Sequence, residues 1–413
     1  MDKTTSLKGA VLVAQSGGPT AVINASAYGV VKAALASKLV TQVLWAANGV
    51  EGILEDRLYD CRKEDAAELA LLKQTPAAAM GSCRKKIKEE AELAKIVDVL
   101  KKHDVRYFFY NGGNDSMDTC QKIHDFAAKV GYEMRVIGVP KTIDNDLAST
   151  DHCPGYGSAA KFVATACMEL RTEAGVYGNG PVIVLEVMGR NAGWLTAASA
   201  LASASGFGPD LIYLPEVAFD MEKFLADVTE LNKKKKGQVL IAVSEGIQDA
   251  SGKYITEYAA EASKDSFGHT QLGGLAAYLA SQIKNRLLIK VKAIELSLLQ
   301  RCGAHAASKT DVEEAYTAGK VAFESAARGE SGKMIAYKCT RGPGGYKCEY
   351  ITVPLNSVAN HEKKVPLEWI TKEGNNVTNK FIDYALPLIQ GDPSIVRENG
   401  LPRYARLKRV LQH

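Results

Sequence analysis

The sequence predicts an α/β fold with two doubly wound lobes, each built on a mostly parallel β-sheet. Two observations predict this class. Short apolar strands alternate with helical segments from residue 10 to residue 328, and strands such as Val105–Tyr110 are apolar throughout. A strand of a parallel sheet is covered on both faces, so a continuous apolar run is expected there. A chain of 413 residues is also long enough to form two packed lobes.

The individual elements are predicted from the apolar pattern and from the turn residues between segments. The predicted strands of the two lobes are Ala10–Ala14, Val40–Ala46, Val105–Tyr110, Met134–Val139, Val182–Val187, Leu211–Leu214, Val239–Val243 and Leu288–Ala293. A first helix ends near Ser37, and the later predicted helices are Leu58–Gln74, Lys86–Lys102, Met117–Val130, Ala159–Arg171, Trp194–Ser203, Gly274–Leu288 and Lys309–Arg328. Lys333–Cys339 and Tyr346–Val353 flank a glycine-rich turn and predict a C-terminal antiparallel hairpin.

Composition and charge disfavour a nucleic-acid-binding protein, a membrane-spanning protein and a protein with disulfides or zinc sites. The chain is 46% hydrophobic with a net charge of +4, which does not predict a nucleic-acid partner. No run of about 18 apolar residues is present, so no membrane-spanning segment is predicted. The eight cysteines form no Cys-x-x-Cys pair, which predicts reduced thiols rather than disulfides or zinc sites. Because the N-terminus is short and polar, without a signal-peptide core, we expect a cytoplasmic protein.

Polar residues follow five predicted strands, and ligands of open α/β sheets bind beyond the carboxyl ends of the strands. The five segments are Gly17-Gly18, Gly112–Ser116, Thr142–Asp146, Met188–Arg190 and Glu245. Glycine turns present backbone N–H groups to phosphates, and a carboxylate takes the proton of a hydroxyl acceptor. The set therefore predicts phosphoryl transfer from a polyphosphate to a hydroxyl group. No Walker-type Gly-x-x-x-x-Gly-Lys-Ser/Thr motif occurs.

Seven short motifs occur in order over roughly residues 10–330. They are Ser16-Gly17-Gly18, Gly81-Ser82-x-Arg84, Gly112-Gly113-Asn114-Asp115-Ser116, Pro140–Asp146, Met188-Gly189-Arg190, Ser244-Glu245-Gly246 and Gln300-Arg301. In this order they resemble the phosphofructokinase family. The resemblance implies a phosphofructokinase-like fold and transfer of a phosphoryl group to O1 of fructose 6-phosphate, with Mg²⁺ as cofactor. It also implies a donor lobe at residues 1–146, a sugar-phosphate lobe at 147–308 and a C-terminal segment at 309–413 that packs on both.

Two positions favour the pyrophosphate branch of the family over the ATP-dependent branch. Relatives that use ATP typically have glycine where this chain has Asp115 and Lys141. A carboxylate at residue 115 would repel the α-phosphate of a nucleotide by roughly 4 kcal/mol at about 4 Å and an effective dielectric constant near 20. A lysine at residue 141 supplies a compact cation for the transferred or the leaving phosphate.

The resemblance implies a role for each matched residue. Asp144 is the general base, Arg190 stabilises the transition state, and Lys141 and Asp115 act on the donor. Asn114 is the candidate metal ligand. The residues expected to bind the two substrates are Gly17, Gly18, Arg84, Thr142, Asp146, Met188, Gly189, Glu245, Lys292 and Arg301.

Four positions leave part of the site open. Asn114 stands where the family usually has Asp, so the negative charge of a metal ligand is missing. Lys292 stands where the family usually has Arg, so a guanidinium that could bind a phosphate through two hydrogen bonds is missing. Leu298 replaces the usual Tyr or His, which leaves sedoheptulose 7-phosphate as a second acceptor. His269 lies in a loop that could reach the site, although a structural role is the more common one.

Three other functions compete with a pyrophosphate-dependent enzyme. They are an ATP-dependent phosphofructokinase, a kinase of the nicotinamide-nucleotide type and a non-catalytic subunit that binds sugar phosphates. The intact Asp144–Asp146 pair disfavours the non-catalytic function. Because one phosphate-binding cation of the family often reaches across a subunit interface, we expect a homodimer or a homotetramer.

Overall fold

The computed structural model describes residues 7–258 and 274–412 of the chain. The strands within these ranges are β1 (Gly9–Gln15), β2 (Val40–Ala46), β3 (Leu58–Asp60), β4 (Val105–Gly112), β5 (Arg135–Pro140), β6 (Val182–Val187), β7 (Leu211–Tyr213), β8 (Leu240–Ser244), β9 (Val291–Glu295), β10 (Lys333–Thr340), β11 (Lys347–Pro354), β12 (Arg397–Glu398) and β13 (Leu401–Pro402). The α-helices are α1 (Ile23–Leu35), α2 (Val50–Leu54), α3 (Ala66–Ala70), α4 (Glu90–Lys102), α5 (Asn114–Lys129), α6 (Tyr156–Ala174), α7 (Trp194–Ala197), α8 (Met221–Lys235), α9 (Leu275–Leu287), α10 (Leu299–Cys302), α11 (Lys309–Ala327) and α12 (Asn379–Ala385).

The larger sheet contains seven strands in the order β11-β10-β5-β4-β1-β2-β3. The five inner strands pair in parallel, and the edge strands β3 and β11 pair antiparallel to their neighbours. Helices α1 and α11 cover one face of this sheet, and α4 and α5 cover the other. Cover on both faces explains why β1 is buried along its whole length.

The smaller sheet contains four parallel strands in the order β7-β8-β6-β9. Helices α6, α7 and α12 pack on one face, and α8 and α9 pack on the other. Two mostly parallel sheets with helices on both faces confirm the predicted α/β class. No helix in residues 7–258 or 274–412 is long and apolar enough to cross a membrane.

The predicted C-terminal hairpin is confirmed as β10 and β11. The hairpin extends the larger sheet, because Lys333 of β10 pairs in parallel with Ile137 of β5. Helix α11 also returns to this sheet and packs closely along α1. The boundaries after residues 146 and 308 stay predictions.

Two predicted helices are wrong in part. Residues 58–74 form β3, two 3₁₀ turns and the short helix α3. Leu58 and Asp60 pair with β2, and the Asp60 carboxylate accepts a hydrogen bond from the Arg62 N–H (2.9 Å) that starts a 3₁₀ turn. These contacts outweigh a helical pattern that is short and ends before Pro76. The helix predicted at 194–203 is one α-helical turn, α7, followed by a 3₁₀ helix over Ala198–Ser205.

The contact between α1 and α11 predicts the effect of one added methyl group. A Cβ on Gly29 would lie 2.1 Å from the backbone oxygen of Tyr316, so the two helix backbones would have to move apart. We expect Gly29→Ala to destabilise the fold by about 1–3 kcal/mol in spite of alanine's better helix propensity. Thermal unfolding followed by circular dichroism measures the change. Gly178→Ala is the control, because nothing lies within 4 Å of its Cβ position. Equal melting temperatures for the two variants would contradict the tight contact.

Candidate active site

A cavity of about 570 Å³ opens where loops from both sheets meet. The loops after β1, β4, β5, β6 and β8 all contribute to its lining. The predicted site residues that line it are Gly17, Gly18, Arg84, Asn114, Asp115, Lys141, Thr142, Asp144, Asp146, Met188, Arg190, Glu245 and Arg301. Gly189 is adjacent, and its N–H donates to Glu245 Oε1 (3.2 Å). Lys292 is not part of the lining, because it is exposed on the edge strand β9.

The turn after β1 requires glycine at residue 17. Gly17 has φ +76°, in the left-handed region, and a Cβ there would lie 3.1 Å from Lys141 Nζ. Its N–H donates to the Cys83 carbonyl (2.9 Å), and the Ser82 hydroxyl donates to its carbonyl (2.7 Å). The segment around Arg84 therefore holds the first glycine turn in place.

Lys141 is a buried cation at the end of β5. Its Nζ donates to the Gly18 carbonyl (2.6 Å), and its side chain is nearly inaccessible to solvent. Burial, followed by the positive charge of Arg301, lowers the pKa of Lys141 to about 8. A Cβ on Gly18 would lie 3.0 Å from the Arg301 guanidinium carbon. Two cations therefore lie beside the first glycine turn, which suits an anionic ligand.

The two carboxylates of the loop after β5 are separated by a residue in an unusual conformation. Asn145 has φ +55° and is fully buried. Its Nδ2 donates to the Tyr384 hydroxyl (2.8 Å), and its Oδ1 accepts from the Cys153 N–H (2.9 Å). Asparagine tolerates the left-handed region better than most residues. The Asn145 side chain thus anchors the loop on which Asp144 and Asp146 reach the cavity.

Asp146 lies in a crowded acidic environment. Burial, then the Asp144 carboxylate and, to a smaller extent, Glu362 raise its pKa to about 7. Glu362 comes from the C-terminal segment, where its backbone pairs with Leu147 and the Lys363 N–H donates to the Asp146 carbonyl (2.7 Å). The sequence contained no signal for Glu362, because residues around it show neither a periodic pattern nor a motif.

Residues at the start of α5 have more partners than the sequence indicated. The Asp115 carboxylate lies 3.0 Å from Lys86 Nζ and is about half exposed, with 49% of the side-chain surface accessible. Asn114 Nδ2 donates to the His361 carbonyl (2.6 Å), and its Oδ1 accepts from the Asn360 N–H (2.5 Å). Asn114 therefore also anchors the C-terminal segment at the cavity.

The loops of the smaller sheet supply a further acid and cation. Burial raises the pKa of Glu245 above its ordinary value, although the Gly189 N–H opposes the shift. Arg190 lines the cavity, and its buried Nε has no hydrogen-bond partner among the described residues. The Met188 N–H donates to Gln300 Oε1 (3.0 Å), which ties this loop to the segment carrying Arg301.

Several residues at the cavity were missed by the sequence reasoning. Besides Glu362, they include Lys85, Asn191 and Asn360. Asn145, which supports the cavity without lining it, was missed as well. Asn145 stands inside a motif that was recognised, but its role depends on a contact to the distant Tyr384. Leu298 is exposed and does not line the cavity. His269 lies outside the described residues.

Comparison with known proteins identifies the family. A family model described as phosphofructokinase matches residues 10–315. The chain belongs to the phosphofructokinase family. This membership contradicts the alternative of a nicotinamide-nucleotide kinase.

Relatives of the phosphofructokinase family are similar to this chain along nearly its whole length. The pyrophosphate–fructose 6-phosphate 1-phosphotransferase of Xanthomonas campestris is 46% identical and the two sequences align over 97% of each. The enzyme of the same name from Halomonas elongata is 43% identical over 95% of each chain. The crystal structure of a pyrophosphate-dependent phosphofructokinase from Nitrosospira multiformis is 39% identical, with a TM-score of 0.88 and 98% of each chain covered.

The crowded carboxylates predict that Asp146→Asn stabilises the protein in a pH-dependent way. Because the pKa of Asp146 is raised from 3.8 to about 7, the folded state binds more protons than the unfolded state between these values. Protonated Asp146 makes its full contribution to the free energy of unfolding below pH 4. That contribution is lost as the pH rises through 7. Asp146→Asn should therefore raise stability by on the order of 2 kcal/mol at pH 8 and change it little near pH 4.

Thermal unfolding across this pH range, with a chelator and without substrates, measures the effect of Asp146→Asn. Asp125→Asn on the exposed face of α5 is the control and should change stability by less than about 0.5 kcal/mol at every pH. A variant at residue 146 that is less stable than the parent at pH 8 would show that the crowding is compensated within the protein.

Proposed function

We propose that the protein transfers a phosphoryl group reversibly from pyrophosphate to O1 of fructose 6-phosphate, giving fructose 1,6-bisphosphate and phosphate. One observation carries the proposal. A single cavity joins a glycine turn, the buried cation Lys141 and the Asp144–Asp146 loop. These are the parts that an anionic donor and a hydroxyl acceptor require. Relatives named for this reaction align with 95% and 97% of the chain.

The donor is bound at the larger sheet in this proposal. The Gly17–Gly18 turn, Arg84 and the start of α5 surround pyrophosphate, with Lys141 at its centre. With a pKa near 8, Lys141 is mostly protonated at neutral pH, and an anion beside it raises that pKa further. The cation therefore stabilises the negative charge that develops on the leaving phosphate.

The acceptor is activated by Asp144. Its carboxylate takes the proton of the 1-hydroxyl as O1 attacks the phosphorus, and the bond to the leaving phosphate breaks. In the reverse direction Asp144 returns the proton to the sugar oxygen. The backbone N–H of Asp144 donates to the Thr142 hydroxyl (3.0 Å), which keeps the loop in register with β5.

The sugar phosphate is bound by the loops of the smaller sheet. Glu245 accepts sugar hydroxyls, Met188 contacts the sugar, and Arg190 directs its guanidinium to the transferred group. The adjacent Gly189 acts by holding Glu245 through its N–H. Arg301 binds phosphate from the side of Gly18.

We assign Lys292, on the exposed edge of β9, to the sugar site of a neighbouring subunit. The protein is then a homodimer or a homotetramer, and we place it in the cytoplasm.

A divalent metal ion is part of the reaction that the family implies, and we propose Mg²⁺. The donor chemistry fits, because Mg²⁺ is commonly held by one or two carboxylates together with substrate phosphates. Asp146 would supply a carboxylate, and Asp144 would stay available as the base. Asn114 Oδ1 accepts one hydrogen bond and has a second lone pair for the ion. When bound, the ion neutralises charge on the phosphate oxygens.

Donor choice predicts the outcome of a coupled assay. The parent should turn over pyrophosphate and use ATP poorly. Because Asp115 is half exposed and paired with Lys86, we expect less repulsion of a nucleotide than the bare charge suggests. Asp115→Gly should raise ATP-dependent kcat/KM by about tenfold to a hundredfold. Asp118→Gly, one turn further along α5, is the control. Robust turnover with ATP and none with pyrophosphate in the parent would refute the donor assignment and favour the ATP-dependent alternative.

The role of Asp144 predicts a loss of kcat without a loss of substrate binding. Asp144→Asn preserves the shape of the side chain but removes the base, so kcat should fall by about 10²–10⁴. The midpoint shift that fructose 6-phosphate causes in thermal unfolding should stay within a few degrees of the parent's. Near-normal turnover would contradict the assignment, and a parent without activity toward either acceptor sugar would favour the non-catalytic subunit. Assays with sedoheptulose 7-phosphate decide whether it is a second acceptor.

A further inference from the structure

Two cysteines of the C-terminal hairpin lie directly across from each other. Cys339 on β10 is the pairing partner of Cys348 on β11 in the antiparallel ladder. Directly opposed residues of such a ladder have Cα atoms about 4.5–5.5 Å apart, within the roughly 4.4–6.8 Å range of disulfides. Both residues are half-buried, so part of each is exposed to solvent.

A buried histidine lies beside the first of these cysteines. Cys339 Sγ is 3.8 Å from His152 Nδ1 and 3.4 Å from the Tyr346 hydroxyl. Hydrogen bonds to Asp151, Cys339 and Glu314 raise the pKa of His152 well above its ordinary value against the effect of burial. An imidazolium next to a thiol favours the thiolate, which is the nucleophilic form. The hydrogen bond from Cys348, followed by that from His152, lowers the pKa of Cys339.

The same cluster is unsuited to a metal ion. Ligand atoms of Asp151, His152 and Cys339 lie within 4.8 Å of one another. Both ring nitrogens of His152 already face carboxylates, Asp151 Oδ1 at 3.0 Å and Glu314 Oε2 at 2.7 Å. Asp151 in turn accepts two hydrogen bonds from Arg341, at 2.7 and 2.8 Å. A protonated histidine has no lone pair to offer a metal ion, so thiol chemistry remains for this cluster.

The other cysteines of the described residues lack this environment. Five are buried, namely Cys61, Cys83, Cys120, Cys153 and Cys167. Burial raises the pKa of four of these thiols, those at residues 61, 120, 153 and 167. Cys302 is half-buried like the hairpin pair, and its thiol donates to the Leu298 carbonyl (3.3 Å). Cys302 therefore serves as the reference thiol against which oxidation of the hairpin cysteines is compared.

We propose that Cys339 and Cys348 are a redox modification site at which a hydroperoxide forms a reversible disulfide. The Cys339 thiolate attacks one peroxide oxygen, the O–O bond breaks, and a sulfenic acid and water form after protonation. The Cys348 thiol then attacks the sulfenic sulfur, the S–S bond forms and a second water leaves. Two thiols are oxidised by two electrons in all, and hydrogen peroxide is reduced to two waters. In a reducing compartment such disulfides are transient, as expected for a regulatory site.

The test is oxidation of the reduced full-length protein with hydrogen peroxide at neutral pH, followed by alkylation and peptide mass spectrometry. A peptide pair joined through residues 339 and 348 should form and should disappear on treatment with dithiothreitol. It should form about tenfold faster in the folded protein than in urea, where the thiols have ordinary pKa values. Thermal unfolding verifies that each variant is folded.

Two matched variants sharpen the test. Cys348→Ser should abolish the cross-link and leave a sulfenic acid at Cys339 that dimedone traps. Cys302→Ser should leave the cross-link unchanged. The proposal is overturned if Cys302 is oxidised while the hairpin thiols stay reduced, or if the cross-link forms equally fast in folded and urea-unfolded protein.

Discussion

The buried side chain of Asn145 determines how the loop after β5 meets the rest of the molecule. It joins the Cys153 N–H on one side to the Tyr384 hydroxyl on the other, while its own backbone is left-handed. Tyr384 belongs to α12, so a helix near the C-terminus supports the loop that carries Asp144 and Asp146. Because a buried amide without partners costs about 1–3 kcal/mol, the loop has one favoured conformation. This side chain therefore ties the Asp144–Asp146 loop of the larger sheet to the core beside the smaller sheet.

The cavity keeps like charges close together on both of its sides. Carboxylates crowd at Asp146, whose pKa rises, and cations crowd at Lys141, whose pKa falls. Each shift records a free-energy cost that the folded protein bears at neutral pH. An anionic donor relieves the crowding of the cations, and a divalent cation relieves that of the acids. Stability is thus lower at the site than packing alone would allow, as is common for sites built for binding.

The sequence predicted the strands and the glycine turns well because both signals are local. A fully buried parallel strand must be apolar along its length, and Gly17 must be glycine because of its backbone conformation. Glu362 and the anchoring role of Asn114 were not predictable, since they depend on where the C-terminal segment crosses the cavity. The helix predicted at Leu58–Gln74 was wrong in part for a similar reason, because pairing with the distant strand β2 outweighed the local pattern.

The insertion of β10 beside β5 has a consequence for synthesis of the chain. The outer edge of β5 stays unpaired until Lys333 has been synthesised. Helix α1 likewise stays uncovered until α11 has been synthesised. Until then a nascent chain presents the bare edge of β5, which is a template for pairing with other chains. Non-local parallel pairing is also slow to form. The amino-terminal half of a nascent chain is therefore more prone to aggregate than the completed fold.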